Sequence, residues 1–391
     1  MKSLVPIPIE DEALPRLLIV GAFPPSHRVV VGGIATSCRV LLESSLPHRA
    51  HLTLVDSTQI SNPPPVFFIR LLLAIPRFIR YLVQFESTRP NAVLLFTSTG
   101  ASVVEKGAMA WYARLRGTQT LMLPRGQPPD DRQPAWLRHL LNKVGFGGAQ
   151  KILCQGLAWQ RFAIDILRMN AQDVPVVQNW TATPALLAIG RDRIPRLSVT
   201  PVRLLFLGWL EREKGIFELI EACQGLSDTV PFVLDIVGDG HAMSQARVMV
   251  ERSALNDKVN FYGWLQGAEK EAALARADVL VLPSWSEGLP NAMIEAMAAR
   301  MAIVVTSVGN IPDTVVDGRE VLLVPPKDVA ALRAALTRVV GDSELRWALG
   351  NSGYASAERR FGVERAIDSI LIAIGHDPSL GINNSEGFPP R

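Results

Sequence analysis

The stretch SWSEGLPNAMIEAMA, residues 284–298, carries two carboxylates, Glu287 and Glu295, with Gly288, Leu289, Pro290 and Asn291 in the interval. Pro290 suits the first turn of a helix, where a missing N–H costs nothing, and Ala292, Met293, Ile294, Ala296 and Met297 continue it as an apolar stripe. The spacing predicts Glu287 in the loop before a helix and Glu295 more than a turn inside it. A helix N-terminus with unpaired N–H groups then sits between the acids, which makes a site for an anion flanked by carboxylates.

Two further groups have types suited to the same ligand. In WLEREKGIFELIEA, Lys214 stands just before a helix, where it can act as a fixed cation for a phosphate. In FPPSHRVVVGGIATS, Gly32 and Gly33 open a helix after a loop, and paired glycines let a backbone approach a diphosphate closely. Taken singly, a lysine at such a position is commonly only solvated, and a Gly-Gly pair is commonly an ordinary turn. In IVGDGHAMSQ, Gly238 and Gly240 begin a dinucleotide-binding pattern, but Met243 replaces its third glycine.

These residues need rigid elements to hold them. Short apolar runs that read as buried strands occur at 16–22, 51–56, 92–98, 119–124, 151–156 and 174–179, with helix-like segments between them. After a stretch rich in Thr, Pro and Arg the rhythm restarts at 202–208, 232–238, 258–263, 277–283, 301–307 and 321–326. Alternating strands and helices mean parallel sheets covered on both faces. The expectation is an α/β chain of two Rossmann-like domains, 1–178 and 202–375, joined by a linker at 179–201 and followed by a disordered tail at 376–391. Ligands bind beyond the C-terminal ends of parallel strands, so two such domains would share one cleft.

Composition sets the outer limits. A 391-residue chain with 48% hydrophobic and 20% charged residues is globular and long enough for two cores. A net charge of +3 permits contact with anionic lipid or a phosphorylated substrate but is not a nucleic-acid footprint. Cys38, Cys154 and Cys223 are odd in number and widely spaced, so they read as free thiols in a reducing compartment, without the spacing of a zinc site. The N-terminal MKSLVPIPIEDEALPRLLIVGAF places acids before its apolar run and has no small-residue cleavage pattern, so a cytoplasmic location is expected.

The ordered set of Gly32-Gly33, GWLEREKG, VGDG, Glu287-x7-Glu295 and GNIPDTVVDGREVLLVPP resembles the retaining glycosyltransferases of family 4 over nearly the whole chain. That resemblance implies the GT-B fold, a nucleotide sugar as donor and no separate cofactor. It implies that Glu287 faces the transferred sugar and that Glu295 holds the ribose hydroxyls. Lys214 and the backbone after Glu287, at Gly288, Leu289 and Asn291, would bind the diphosphate. Two positions depart from the commoner family pattern: Trp209 follows Gly208 where an arginine is usual, leaving Arg212 as the candidate second cation, and Arg125 stands where a histidine is common. His27 and His139 are poorly placed to replace that histidine.

The chain has no Asp-x-Asp element, so Lys214 and helix amides, rather than a metal, are expected to stabilise the departing diphosphate. Residues 65–85, PVFFIRLLLAIPRFIRYLVQF, place Arg70, Arg77, Arg80 and Gln84 within an arc of roughly 80° on an otherwise apolar helix. Three arginines and Pro76 argue against a membrane span. An interfacial helix on anionic lipid or an amphipathic helix packed on the sheet are both open. A glycan or polyprenyl-linked acceptor in surface polysaccharide assembly follows from the resemblance, with no nucleic-acid partner. The competing readings are an NAD-dependent sugar-nucleotide dehydrogenase or epimerase, and a non-catalytic two-domain sugar-binding protein.

Overall fold

The computed structural model describes residues 14–23, 32–58, 67–98, 100–129, 135–196, 201–226 and 231–376. His27, residues 197–200 of the expected linker and residues 377–391 of the expected tail lie outside them, as does the side chain of Arg70.

The first sheet and its helices run β1 (Arg16–Gly21), α1 (Gly33–Leu42), α2 (Leu46–Arg49), β2 (His51–Asp56), α3 (Phe67–Thr88) and β3 (Ala92–Thr97). They continue with α4 (Ala101–Leu115), β4 (Gln119–Pro124), α5 (Ala135–Phe146), β5 (Lys151–Ile152) and α6 (Leu157–Asp165). After α7 (Pro184–Asp192) the second sheet begins with β6 (Val202–Leu207), α8 (Ile216–Gln224), β7 (Phe232–Val237), α9 (Met243–Arg252) and β8 (Val259–Gly263). Next come α10 (Gly267–Arg276), β9 (Val279–Leu282), α11 (Asn291–Ala298), β10 (Ala302–Thr306), α12 (Ile311–Thr314) and β11 (Leu322–Val324). Helices α13 (Val329–Gly341), α14 (Ser343–Arg360) and α15 (Val363–Ala373) close the chain.

Both sheets are parallel, with orders β2-β1-β3-β4-β5 and β11-β10-β9-β6-β7-β8. Along each strand, alternate residues enter opposite cores: Leu17 and Ile19 face one and Leu18 and Val20 the other, as Leu204 and Phe206 oppose Leu205 in the second sheet. This is the period-2 geometry of a sheet covered on both faces. The apolar run at 174–179 is the one that does not become a strand. It makes a single bridge, Cys154 to Val176, because Pro175 has no N–H with which to extend the ladder.

The chain crosses between the two cores twice. Val177 and Trp180 are buried in the first core, whereas Ala182 and Leu186 are buried in the second, so the crossing falls at 180–182. Helix α7, inside the expected linker, packs on the second domain, and Arg193 at its end donates to the carbonyls of Ala299, Ala277 and Leu274 at 2.7–2.8 Å. Burial pushes the Arg193 guanidinium down to about 10. Helix α15 returns to the first domain, burying Val363, Ala366, Ile367, Ile370 and Leu371 beside Leu17 and Ile19. Its apolar face explains the return: the first sheet needs a helix there to cover that side.

Helix α3 packs Tyr81 and Phe85 into the first core, with the Tyr81 hydroxyl donating to the Met109 carbonyl at 3.0 Å. Arg77 does not face solvent as Arg80 and Gln84 do. It makes a two-pronged ion pair with Glu105 of α4, at 2.8 and 3.1 Å. The exposed face instead carries Leu72, Ile75, Ile79 and Val83, each more than half exposed. None of the described helices is long and apolar enough to cross a membrane. Cys38, Cys154 and Cys223 are free and buried, and burial pushes each thiol up to about 12.

Candidate functional site

In a parallel sheet the crevice for a ligand opens where strand order reverses, because the loops of the two central strands leave in opposite directions. In the second sheet that point lies between β6 and β9. The loop after β6 carries Lys214 and the loop after β9 carries Glu287, so topology alone brings together residues 73 positions apart. Lys214 Nζ donates to Glu287 Oε1 at 2.7 Å, and Ser284 Oγ donates to the same oxygen at 2.8 Å.

Glycines set this geometry. Gly215 follows a single 3-10 turn, Arg212–Lys214, in the left-handed region at φ 72°, and a Cβ there would run into the Pro283 carbonyl. The close approach lets Trp285 N–H donate to Glu213 O at 2.8 Å, which clamps one loop on the other. On the far side Gly309, at φ 60°, is seated on the Glu287 carbonyl, and Asn310 N–H donates to Gly288 O at 2.9 Å. The Gly-Asn of the GNIPD stretch therefore braces the backbone that carries Glu287.

Helix α11 begins at Asn291, with Pro290 extended (ψ 127°) just before it. Pro290 is thus one residue outside the first turn expected for it, since the chain must turn there to leave the β9 loop. The placement of the acids is as anticipated, with Glu287 before the helix and Glu295 within it, 4% exposed. Glu295 accepts from Lys270 of α10 at 2.8 Å. Lys270 had no local signal: in GAEKEAALAR it reads as one more solvated charge, and only the packing of α10 turns it inward.

Lys214, Lys270, Glu287 and Glu295 line a cleft of about 360 Å³ together with Gly32, Gly33 and Arg125 from the first domain. That volume is within the usual range for small-molecule sites. Gly32 caps α1, whose first turn faces the cleft across Asn291. Asn291 Nδ2 donates to Gly33 O at 3.1 Å, and its Oδ1 accepts from Asn179 at 2.7 Å. Asn179 also donates to Leu289 O at 2.7 Å, and Gln127 donates to Glu287 O at 3.1 Å. Leu289 and Asn291 therefore join the domains as well as lining the cleft.

Arg212 points elsewhere, exposed and 5.9 Å from the Trp285 ring. Trp209 lines the cleft and packs on Trp264 with ring centroids 5.0 Å apart, an aromatic surface on which a planar base can stack. Gly238 and Gly240 are packing devices: a Cβ on either would strike the Gly208 or Leu210 carbonyl. Their role against the β6 loop removes the reason to read them as a dinucleotide site. His139 is exposed on α5. Among the described residues, no three His, Cys, Asp or Glu side chains are grouped to hold a metal ion.

The chain is similar to known proteins in both sequence and fold. The profile of the glycosyl transferases group 1 family matches residues 192–356. The putative teichuronic acid biosynthesis glycosyltransferase TuaC of Bacillus subtilis is 35% identical over 160 residues, 40% of this chain and 38% of that protein. The 2-deoxystreptamine N-acetyl-D-glucosaminyltransferase of Streptomyces fradiae is 30% identical over 228 residues, 56% of this chain and 52% of its own length. The chain thus spans about half or less of these relatives. Among solved structures, sucrose-phosphate synthase from Thermosynechococcus elongatus superposes with a TM-score of 0.72 at 19% identity, covering 92% of this chain and 98% of that one. Anabaena HepE in complex with UDP gives a TM-score of 0.67 at 15% identity, with 92% and 99% covered.

Proposed function

From a chain whose residues 192–356 belong to the glycosyl transferases group 1 family and whose two domains have the GT-B fold, we propose a sugar transferase that uses a nucleotide-sugar donor. The observation that carries this reading is the pairing of Lys214 with Glu287 at the strand switch point, beside the N-terminus of α11 and Glu295, in one cleft. A diphosphate needs cations and amides, ribose needs an acceptor for its hydroxyls, and a sugar undergoing transfer needs a carboxylate near its anomeric carbon. The cleft offers each of these at neighbouring points.

In the proposed reaction the nucleoside diphosphate leaves with growing negative charge on its outer phosphate. Lys214 and the first N–H groups of α11 stabilise that charge, so the mechanism is assigned as metal-independent. Glu295 accepts from the ribose hydroxyls, and Trp209 with Trp264 offers a face to the base. Glu287 acts at the sugar, as nucleophile or as stabiliser of positive charge on the ring, with retention of anomeric configuration as the family resemblance implies. UDP or GDP is the proposed carrier. The UDP complex of the structural neighbour supports a nucleotide-sugar donor, and the teichuronic acid relative supports a glycan acceptor in polysaccharide biosynthesis; a lipid-linked acceptor in surface polysaccharide assembly is proposed on the family resemblance alone.

A cytoplasmic protein resting on the inner face of the cell membrane fits the exposed apolar stripe of Leu72, Ile75, Ile79 and Val83 on α3, which Arg80 flanks. Arg77, held by Glu105, is not part of that contact. Replacing Leu72, Ile79 and Val83 with Ser should abolish sedimentation with anionic vesicles, and wild-type protein that ignores such vesicles at low salt would remove the membrane reading.

A thermal-shift series with UDP, GDP and ADP tests the donor assignment, because a ligand that favours the native state raises the melting temperature. One diphosphate should stabilise the protein with or without EDTA. Absence of any shift at millimolar nucleotide would overturn the reading, and the anomeric configuration of the product by NMR tests retention.

A further inference from the structure

Arg125 leaves the end of β4 with its N–H bonded to the Thr97 carbonyl at 2.8 Å, which fixes it where β3 and β4 open on the cleft. The residue is only 7% exposed, and among the described residues Nε, Nη1 and Nη2 are all buried without a hydrogen-bond partner. Trp180 and Phe96 lie under the guanidinium, with centroids 4.6 and 5.6 Å away. Aromatic rings satisfy the face of a guanidinium but not the N–H groups in its plane. The neighbouring Cys38 thiol is held neutral by burial and supplies no counter-charge. A buried, unpaired charge is costly, and such a cost is commonly maintained where a ligand supplies the partner.

The surrounding polar atoms narrow the ligand. Gln155 Nε2 donates to Asn179 at 2.9 Å and to Leu289 O at 3.4 Å, which leaves its buried Oε1 as an unused acceptor. Ser37 Oγ is likewise buried and unpartnered, and both residues line the same cleft as Arg125. A guanidinium fork beside an amide oxygen and a hydroxyl suits a ring that carries a pair of anionic oxygens and free hydroxyl groups. A hydroxymethyl group, with one neutral oxygen, leaves most of that fork unpaired.

Position distinguishes the donor from the acceptor as the source of the anion. Gly126 packs on Gly288 so closely that a Cβ on Gly288 would lie 2.8 Å from the Gly126 Cα, and Gln127 holds the Glu287 carbonyl. The Arg125–Gln127 segment therefore rests on the turn that presents Glu287 to the donor sugar. We propose that Arg125 binds the carboxylate of the transferred sugar, so that the donor is a nucleoside diphosphate hexuronate rather than a neutral hexose. The proposal rests on the donor-binding reading above. The alternative source of the same oxyanion chemistry is a phosphate on the acceptor.

The test is calorimetry on the full-length protein with the preferred nucleoside diphosphate, its hexose and hexuronate derivatives, and a short-chain prenyl phosphate. Wild type should bind the hexuronate at least about tenfold more tightly than the matching hexose. Arg125→Gln should bind the two alike while keeping its affinity for the free diphosphate, which shows that the variant is folded. Arg125→Lys, with charge but no fork, should retain part of the preference. Equal binding of hexose and hexuronate by wild type, or a preference that survives in Arg125→Gln, would overturn the proposal and leave the glycosyltransferase reading intact. Arg125-dependent binding of the prenyl phosphate, without discrimination between donors, would also overturn it by assigning the anion to the acceptor. Failure of every nucleotide to bind wild type would remove both readings.

Discussion

The two sides of the cleft carry charge in opposite ways. On the second domain each ammonium sits on a carboxylate, Lys214 on Glu287 and Lys270 on Glu295, at 2.7 and 2.8 Å. On the first domain Arg125 has aromatic rings and, among the described residues, no anion. Paired charges keep a half-buried site neutral until a ligand arrives, and a diphosphate and its ribose can then exchange partners with a pair already in place. A lone guanidinium has nothing to exchange. In the proposed reaction the second domain therefore holds the part of the ligand that has both phosphates and hydroxyls, and the first holds a net negative group.

Substitutions at the paired side should have the largest effects. Glu287→Gln keeps the shape of the side chain and removes its charge, so turnover should fall by about 100-fold or more while nucleoside diphosphate affinity is largely preserved. Lys214→Ala should lower both affinity and rate, since Lys214 is proposed to meet the diphosphate before and during its departure. Because the two residues share one ion pair, the double mutant should be clearly non-additive, and steady-state rates that simply multiply would show that the pair does not act as a unit.

Next in size is Glu295→Ala, which should weaken nucleoside diphosphate binding by about 1.5–3 kcal/mol if its bonds to the ribose are charge-assisted. Calorimetry giving an unchanged affinity in a folded variant would falsify the ribose role and leave Glu295 as a counter-ion for Lys270. A smaller effect is expected at the brace behind Glu287. Gly309→Ala must place a side chain at φ 60° against the Glu287 carbonyl, and should cost at least about 1–2 kcal/mol of stability by denaturant melting, the clash adding to the backbone strain. Turnover should drop with it, because the loop that aims Glu287 has to move.

The smallest effect is the one that most sharpens the contrast. Arg125→Gln removes a buried charge that has no partner, so in the absence of ligand it should melt no lower than wild type and up to about 2–4 °C higher. The loss of Lys270 by Lys270→Met should do the reverse, leaving Glu295 buried without its cation and lowering the melting temperature. A destabilised Arg125→Gln would show that Arg125 has a structural role and that the two sides do not differ as described.

Much of this was legible locally. Apolar runs mark the strands most plainly at β1, β3, β4, β9 and β10, because a strand buried on both faces must be apolar along its length. The acids on either side of the α11 N-terminus are eight residues apart and need only a loop and a helix start between them, so their relation was readable from residues 284–298. Run 174–179 failed as a strand for a reason the sequence does contain, Pro175, but an apolar pattern does not weigh a missing donor. On α3, periodicity identified the polar arc. It could not show that Arg77 would be taken by Glu105 of α4, or that the apolar stripe at Leu72, Ile75, Ile79 and Val83 would stay uncovered, since a helix apolar on most of its surface does not declare which side packs.

Two parallel sheets and the local order of loop, acid, helix and second acid follow from the residues alone, because these depend on neighbours within a few turns. What meets across the cleft depends on packing between distant segments. Lys214 reaches Glu287 through the reversal of strand order between β6 and β9, Lys270 reaches Glu295 through the packing of α10, and α15 covers a sheet more than 200 residues earlier in the chain, completing the apolar cover that α1 begins on that face. Arg125 is the extreme case. Its residue type was visible, but its meaning lies in the absence of any partner among the described residues, and that is a property of everything packed around it.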